Sequence, residues 1–273
     1  MEIKALNNTT LQVIVECLSE SFKNYFVKMP SDVSFWEKRF KAARVDYNLS
    51  FGVFDQEKLV AFIIHGIDRH NGQMTAFNTG TGVLESHRGL KLVDKIYDYA
   101  LPVLKRNNIQ KCMLEVIEEN HVAVRVYERI GFKKDRFLRC FKGQISNTES
   151  TYNILEIDID SIKDKIETFQ KFYSWDHTFE TIQKGGTLFK SYLVKSKNGN
   201  DLGYFVTNTS NNALVQIEEF GNGTWIEIIS ATRQIIPQIR INNIDSHRVD
   251  LIKAFLDVGL ENHINQFEMD MPI

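Results

Sequence analysis

A chain of 273 residues, 43% apolar and 25% charged with a net charge of −2, can bury one large core or two small ones and has no overall pull toward nucleic acid or anionic membrane. No apolar run approaches the ~18 residues of a membrane-spanning helix, and the opening MEIKALNNTT lacks a leader pattern. Three scattered cysteines (Cys17, Cys112, Cys140), with no Cys or His pairs at ligand spacing, predict a cytoplasmic protein without disulfides or a metal.

In chain order, apolar positions in LQVIVECLSESFKNYF predict a helix over 11–26 with Thr9 or Thr10 as cap, and Trp36 and Phe40 mark a second over 33–45. SFGVFD and KLVAFIIHGI read as strands around a polar turn, and Asn71-Gly72 is a hairpin signal before a third strand, MTAFNTGTGVL. GLKLVDKIYDYALPVLKRNN is helical, with Pro102 set to kink or end it. KCMLEVIE is a strand, HVAVRVYERI a short helix closed by Gly131, and FKKDRFLRCFKG a strand.

QISNTESTY, residues 144–152, is polar and without period, and it predicts a linker. Beyond it we read a helix over 158–172 capped by Asp160 or Ser161, two strands around Asn198-Gly199, and the strand NALVQIEEF. The helix TWIEIISATRQI, the strand QIRINNI, the helix SHRVDLIKAFLDVGL and the strand HINQFEMDM complete the chain. LEVIEENHVAVRVYERIGFKK and IRINNIDSHRVDLIKAFLDVGLEN share the order strand, polar loop, amphipathic helix, Gly, apolar residue, with Asn120–Gly131 laid on Asp245–Gly259 at a small offset. The reading is a tandem duplication of one α+β unit, with domains at 1–147 and 148–273. The first holds 22 Lys+Arg against 17 Asp+Glu, a net of +5; the second holds 11 against 18, a net of −7. That asymmetry suits an anionic ligand in the first half.

LESHRGLKLVD, Leu84–Asp94, joins a strand to a helix. The first N–H groups of a helix lack internal partners and sit at the positive end of its dipole, so they can collect an anion. Gly89 supplies room, and Arg88, Lys91 and Lys95 supply charge; an ordinary Arg-Gly turn before a helix has the same letters. Asn120 and Tyr127, two turns apart, share a helix face with Ala123 and Val124 between them. The amide can bond a ligand and the phenol can donate a proton, whereas a lone Tyr is more often a core aromatic.

TGTGVLESHRGLKLVDKIYDYAL followed by LEVIEENHVAVRVYERIGFKK resembles the GNAT superfamily of acyl-CoA-dependent N-acetyltransferases. The loop resembles Arg/Gln-x-x-Gly-x-Gly/Ala, and Asn120, Ala123, Tyr127, Gly131 and Phe132 complete the second signature. The resemblance implies two tandem GNAT-like units, each a mixed, mostly antiparallel sheet flanked by helices, with acetyl-CoA as acyl donor and no metal. Backbone around Val83 and Leu84 would pair with the pantetheine arm, and Arg88, Gly89, Leu90, Lys91, Leu92 and Val93 would wrap the pyrophosphate. Asn120, beside Ala123, would bond the arm, and Tyr127 would protonate the departing thiolate. Lys91 and Val93 depart from the loop pattern, standing where it has Gly and Gly or Ala. The second half has no such loop, and Phe255 or Leu256 takes the tyrosine's place, so no cofactor is expected there.

The implied activity is direct acetyl transfer to a primary amine of a small molecule or peptide, a cationic one suiting the acidic second half. Glu118 is the preferred base among Glu85, Glu115, Glu118, His65 and Asp68. The alternative is a non-catalytic acyl-CoA sensor or scaffold. No nucleic acid or membrane partner is expected, and the chain is expected to be a monomer or weak homodimer.

Overall fold

The computed structural model describes residues 1–23, 29–145 and 152–273. A short strand β1 (Glu2–Ala5), too brief and half-exposed to give a sequence signal, precedes α1 (Leu11–Ser21). Thr10 caps α1 through the Val13 N–H, and Ile14, Val15, Cys17 and Leu18 turn inward. The helix expected to reach residue 26 stops at Ser21; residues 24–28 lie outside the described residues. Next comes α2 (Val33–Ala42), capped by Asp32 and burying Trp36 and Phe40. β2 (Phe51–Asp55), β3 (Lys58–His70) and β4 (Gln73–Val83) form an antiparallel meander, with Asn71 and Gly72 both left-handed in its second turn.

α3 (Leu92–Arg106) leads to β5 (Lys111–Ile117), which pairs with β4 in parallel. The kink or early end expected at Pro102 does not shorten α3, which continues to Arg106. Pro102 and Asp98, whose carbonyl loses its i+4 donor, both lie on the exposed face where water can serve that carbonyl. α4 (His121–Ile130) ends at Gly131, with φ +121°.

After β6 (Lys133–Gln144) the chain builds a second set of elements: β7 (Asn153–Ile157), α5 (Lys163–Ile166), α6 (Phe179–Gly185), β8 (Phe189–Lys195), β9 (Asp201–Asn208) and β10 (Ala213–Glu219). α7 (Trp225–Thr232), β11 (Gln238–Asp245), α8 (Val249–Asp257) and β12 (Glu261–Pro272) complete it. The single helix expected over 158–172 is instead the one turn of α5 between two 3₁₀ segments, capped by Asp158. Local bonds compete with the α pattern there: Asp160 N–H donates to Asp158 Oδ1 (3.0 Å) and Ser161 Oγ to the Asp158 carbonyl (2.6 Å).

Two compact units result. The first gathers residues 1–116, 120–135 and 268–273, the second 117–119 and 136–267. In the first, strands run β1-β2-β3-β4-β5 and then the end of β12; in the second, β7-β8-β9-β10-β11 and then β6. The polarities match: three antiparallel pairings, then one parallel. Each unit is thus one copy of the same plan, a mixed sheet flanked by helices, completed by a strand from the other stretch of sequence. The expected cut between 147 and 148 falls among residues 146–151, which are outside the described residues, as is most of the expected linker.

The first unit centres on Ile14, Phe62, Ile96 and Leu104, and the second on Phe205, Ile228, Ile241 and Phe255, all fully buried. Each such side chain contributes roughly 1.5–3 kcal/mol. Among the described residues no helix is long and apolar enough to cross a membrane.

Candidate functional site

The site grows from the end of the β4–β5 pairing. Four pairs join the two strands, the last being Asn78 with Leu114. Beyond it β4 continues as Thr79–Val83 with no β5 partner, so one edge of its backbone stays open. A bulge at Thr79 in the β3–β4 ladder accompanies this parting. The buried Asn78 side chain stitches the bulged stretch: its Nδ2 donates to Thr81 Oγ1 (2.7 Å) and to the Tyr97 hydroxyl (3.0 Å), and the Gly80 N–H donates to its Oδ1 (3.1 Å). Asn78 carries no motif, and only the fold reveals its place.

A cleft of about 620 Å³ opens here. Of the expected binding residues, Val83, Arg88, Gly89, Lys91, Leu92, Val93, Asn120 and Ala123 line it, joined by Thr81 and Gly82 of the glycine-rich TGTGVL and by Ser21, Phe22, Val122 and Arg129, which the motifs do not mark. Gly82 has a steric reason to be glycine: a Cβ there would fall 2.6 Å from the Phe62 ring and 3.0 Å from Ser21 Cβ.

The loop entering α3 turns left-handed twice, at Gly89 (φ +79°) and at Lys91 (φ +53°, ψ +37°). Lys91 therefore holds the backbone that glycine favours at the position where the family pattern has glycine. Lys91 is also the N-cap of α3, and no side chain there accepts a hydrogen bond from the first turn. The α3 N-terminus thus presents uncapped N–H groups at the mouth of the cleft, which fits a diphosphate.

Three expected contacts are placed otherwise. Leu84 is 5% exposed and its N–H already donates to the Val60 carbonyl (2.9 Å), so it is not an edge for a ligand. Leu90 is 43% exposed and does not line the cleft. Tyr127 is 8% exposed and packs edge-on to Phe132 (5.8 Å between centroids), behind the cleft wall rather than in it. Tyr97 also stands edge-on to Phe132 (5.4 Å); its burial, and then the nearby Tyr127, hold the Tyr97 phenol far above its ordinary pKa.

Two motif residues are partly engaged in the fold. Arg88 Nη2 donates to the Ser21 carbonyl (3.0 Å), tying the loop to the end of α1. Asn120 caps α4 by accepting the Ala123 N–H (3.2 Å). The α4 and α3 helices are clamped by a bidentate pair, Arg129 Nε and Nη2 to Asp94 (2.7 and 2.8 Å), which draws the Asp94 carboxyl below its ordinary pKa.

Among the base candidates, Glu118 lies past β5, gives its N–H to the Asn265 carbonyl (2.9 Å) and groups with the second unit. Glu115 is the first β5 residue beyond the last β4–β5 pair, in the unit that holds the cleft. His65 is a core group: fully buried, its Nδ1–H donates to the Leu49 carbonyl (2.7 Å) and its ring stands edge-on to Phe51 and Tyr97.

A parted parallel strand pair thus lies beside an uncapped helix N-terminus at one cleft. Residues 12–132 match the Acetyltransferase (GNAT) family. N-alpha-acetyltransferase 30 of Schizosaccharomyces pombe is 26% identical over 107 residues, covering 39% of this chain and 70% of that protein. The fold is shared with a tandem GNAT protein from the clavulanic acid biosynthesis pathway (TM-score 0.70, 11% identity, 99% of this chain and 98% of that one). It is shared equally with a GCN5-related N-acetyltransferase from Sphaerobacter thermophilus (TM-score 0.68, 10% identity, 99% and 95%). The first unit thus carries the match to the GNAT acetyltransferase family, and the chain as a whole shares its fold with a tandem GNAT protein.

Proposed function

We propose that the first unit moves an acetyl group from acetyl-CoA to a primary amine of a small molecule or peptide, in the cytoplasm and without a metal. The observation that carries this reading is the uncapped N-terminus of α3, entered through left-handed Gly89 and Lys91, at the mouth of the cleft beside the open β4 edge. The donor would supply an activated acyl thioester. The chain's own part is binding and placement. The N–H groups of Leu92 and Val93, with the Lys91 ammonium, would hold the diphosphate. The open edge of Thr81–Val83 would pair with the extended arm, and an N–H near Val83 would meet the acyl oxygen as charge develops.

An amine is mostly protonated at neutral pH, so a base must accept its proton. The position of Glu115 at the parting of β4 and β5 favours it over Glu118. Tyr127 would return a proton to the leaving sulfur. Its burial behind the wall also supports a second reading, an acyl-CoA sensor without turnover.

The test is calorimetric titration with acetyl-CoA, followed by thiol release with a panel of amines. We expect micromolar binding, weakened in Arg88→Ala. Glu115→Gln should lower kcat by roughly 10²–10⁴ and leave Kd for acetyl-CoA unchanged, while Glu118→Gln should keep activity. Binding without thiol release on any amine would favour the sensor, and no binding would end both readings.

A further inference from the structure

The second unit repeats the cleft's framework element by element. The N-cap of α8, Arg248, has φ −82° and ψ 60°; the N-cap of α4, Asn120, has φ −81° and ψ 63°. The helix ends agree as well: Leu260 N–H donates to the Phe255 carbonyl (2.9 Å) as Phe132 N–H does to Tyr127 (3.0 Å), and Gly259 and Gly131 both have positive φ. Arg248 therefore stands in the place of Asn120, and Phe255 in that of Tyr127. The fourth strand of each unit also bulges once, at Thr79 in β4 and Val215 in β10, with four ladder pairs following. Counting from the bulge, Glu218 stands in the place of Gly82.

Where the first unit has room, the second has a built cluster. Arg248 Nη2 donates to Glu218 Oε2 (2.6 Å), and the Tyr173 hydroxyl donates to Glu218 Oε1 (2.6 Å). Both charged side chains are buried, at 7% and 1% exposure. The guanidinium lies over three rings, at 5.3 Å from Phe172, 5.7 Å from Tyr173 and 5.2 Å from Trp225. The helix that corresponds to α3 is closed too: Thr224 and Glu227 form a capping box on α7, so a carboxylate of the chain itself occupies the N-terminus that α3 leaves open.

We infer that the second unit holds the same donor cleft in a permanently closed form, with the Arg248 side chain as its occupant and Glu218 as that occupant's anchor. The chain then has one open donor cleft, and Arg248 acts as an internal ligand that holds the second unit together. The closure rests on the second unit's own geometry, and naming the cleft a donor cleft rests on the acetyl-CoA reading of the first.

The experiment uses the full-length chain and methylguanidinium as probe. Arg248→Ala leaves Glu218 buried without its cation and should lower Tm by about 5 °C or more. Methylguanidinium should restore several degrees to Arg248→Ala and do nothing for the wild type. Arg248→Lys keeps the charge but loses the stacked fork, so it should also melt lower and gain nothing from the probe. An Arg248→Ala chain as stable as wild type, or one indifferent to methylguanidinium, overturns the inference. A second arm titrates acetyl-CoA into the wild type and reads the stoichiometry. Two equivalents of tight binding per chain would place a donor in the second unit and also overturn it. If the wild type binds no acetyl-CoA, the donor reading of the first unit fails, and the methylguanidinium response alone decides this one.

Discussion

Lys91 carries a left-handed backbone at a cost of roughly 1–2 kcal/mol relative to glycine. The loop shape that the family pattern secures with glycine is kept, and a cation is gained at the mouth of the cleft. Lys91→Gly should therefore raise stability by about 1 kcal/mol and weaken acetyl-CoA binding severalfold; thermal melts and calorimetry read the two effects separately, and a destabilised Lys91→Gly would contradict the strain. His65 gives a pH signature. Burial lowers its pKa to about 4, with the bond to the Leu49 carbonyl acting the other way. The unfolded ring titrates near 6.5, so below that pH the unfolded chain takes up a proton that the folded chain refuses. Stability present above pH 6.5 should fall as the pH drops toward 4, by ~3 kcal/mol at most. Urea unfolding at pH 7.5 and 5 should show this loss in the wild type and a smaller one in His65→Gln. Equal losses would refute it. The motif residues Asn120 and Arg88 were legible as letters, but their engagement in a cap and on the Ser21 carbonyl was not, because both bonds depend on where other elements end.

At the scale of elements, most helices and strands follow from apolar period and turn chemistry: the Asn71-Gly72 hairpin, the Thr10 and Gly131 helix ends and the apolar run of β5 all stand as read. β1, β7 and α6 carry too little pattern to be seen, being short or half-exposed. The parting of β4 from β5 cannot be read from either strand alone, since both remain good strand sequence past Asn78 and Leu114. The space it opens is guarded by Gly82. Gly82→Ala would push a methyl against Phe62 and Ser21, and we expect a loss of about 1–3 kcal/mol together with weaker acetyl-CoA binding. A fully stable Gly82→Ala with unchanged affinity would remove the steric reason for glycine here. The two helix starts make a matched control: Thr224→Ala should destabilise by ~1 kcal/mol through loss of the α7 box, whereas α3 has no such bond to lose.

At the scale of the whole molecule, the duplication was legible from its two tail blocks, but its register was not. Asn120 corresponds to Arg248 rather than Asp245, a match that only the cap dihedrals and helix ends reveal. The exchange of last strands was invisible for a plainer reason: pairing partners distant in sequence leave no local mark. Residues 268–273 belong to the first unit, where Lys111 pairs with Asp270 (3.8 Å), the Ile273 N–H donates to the Gln110 carbonyl (3.0 Å) and Met271 lies against Gly131. Removing these six residues should destabilise the first unit by several kcal/mol while the second unit, which contains none of them, keeps its own melting transition. A single unchanged transition in calorimetry would show that the strand is dispensable.

That strand also sets an order of events during synthesis. The ribosome delivers residues 1–135 first, yet the unit they form lacks its edge strand until all of 136–267 has emerged. The unit that carries the open cleft is thus begun before the second unit and completed after it, and on the growing chain the β5 edge stays unpaired for the time taken to translate some 130 further residues, an interval of about 7–26 s at typical rates.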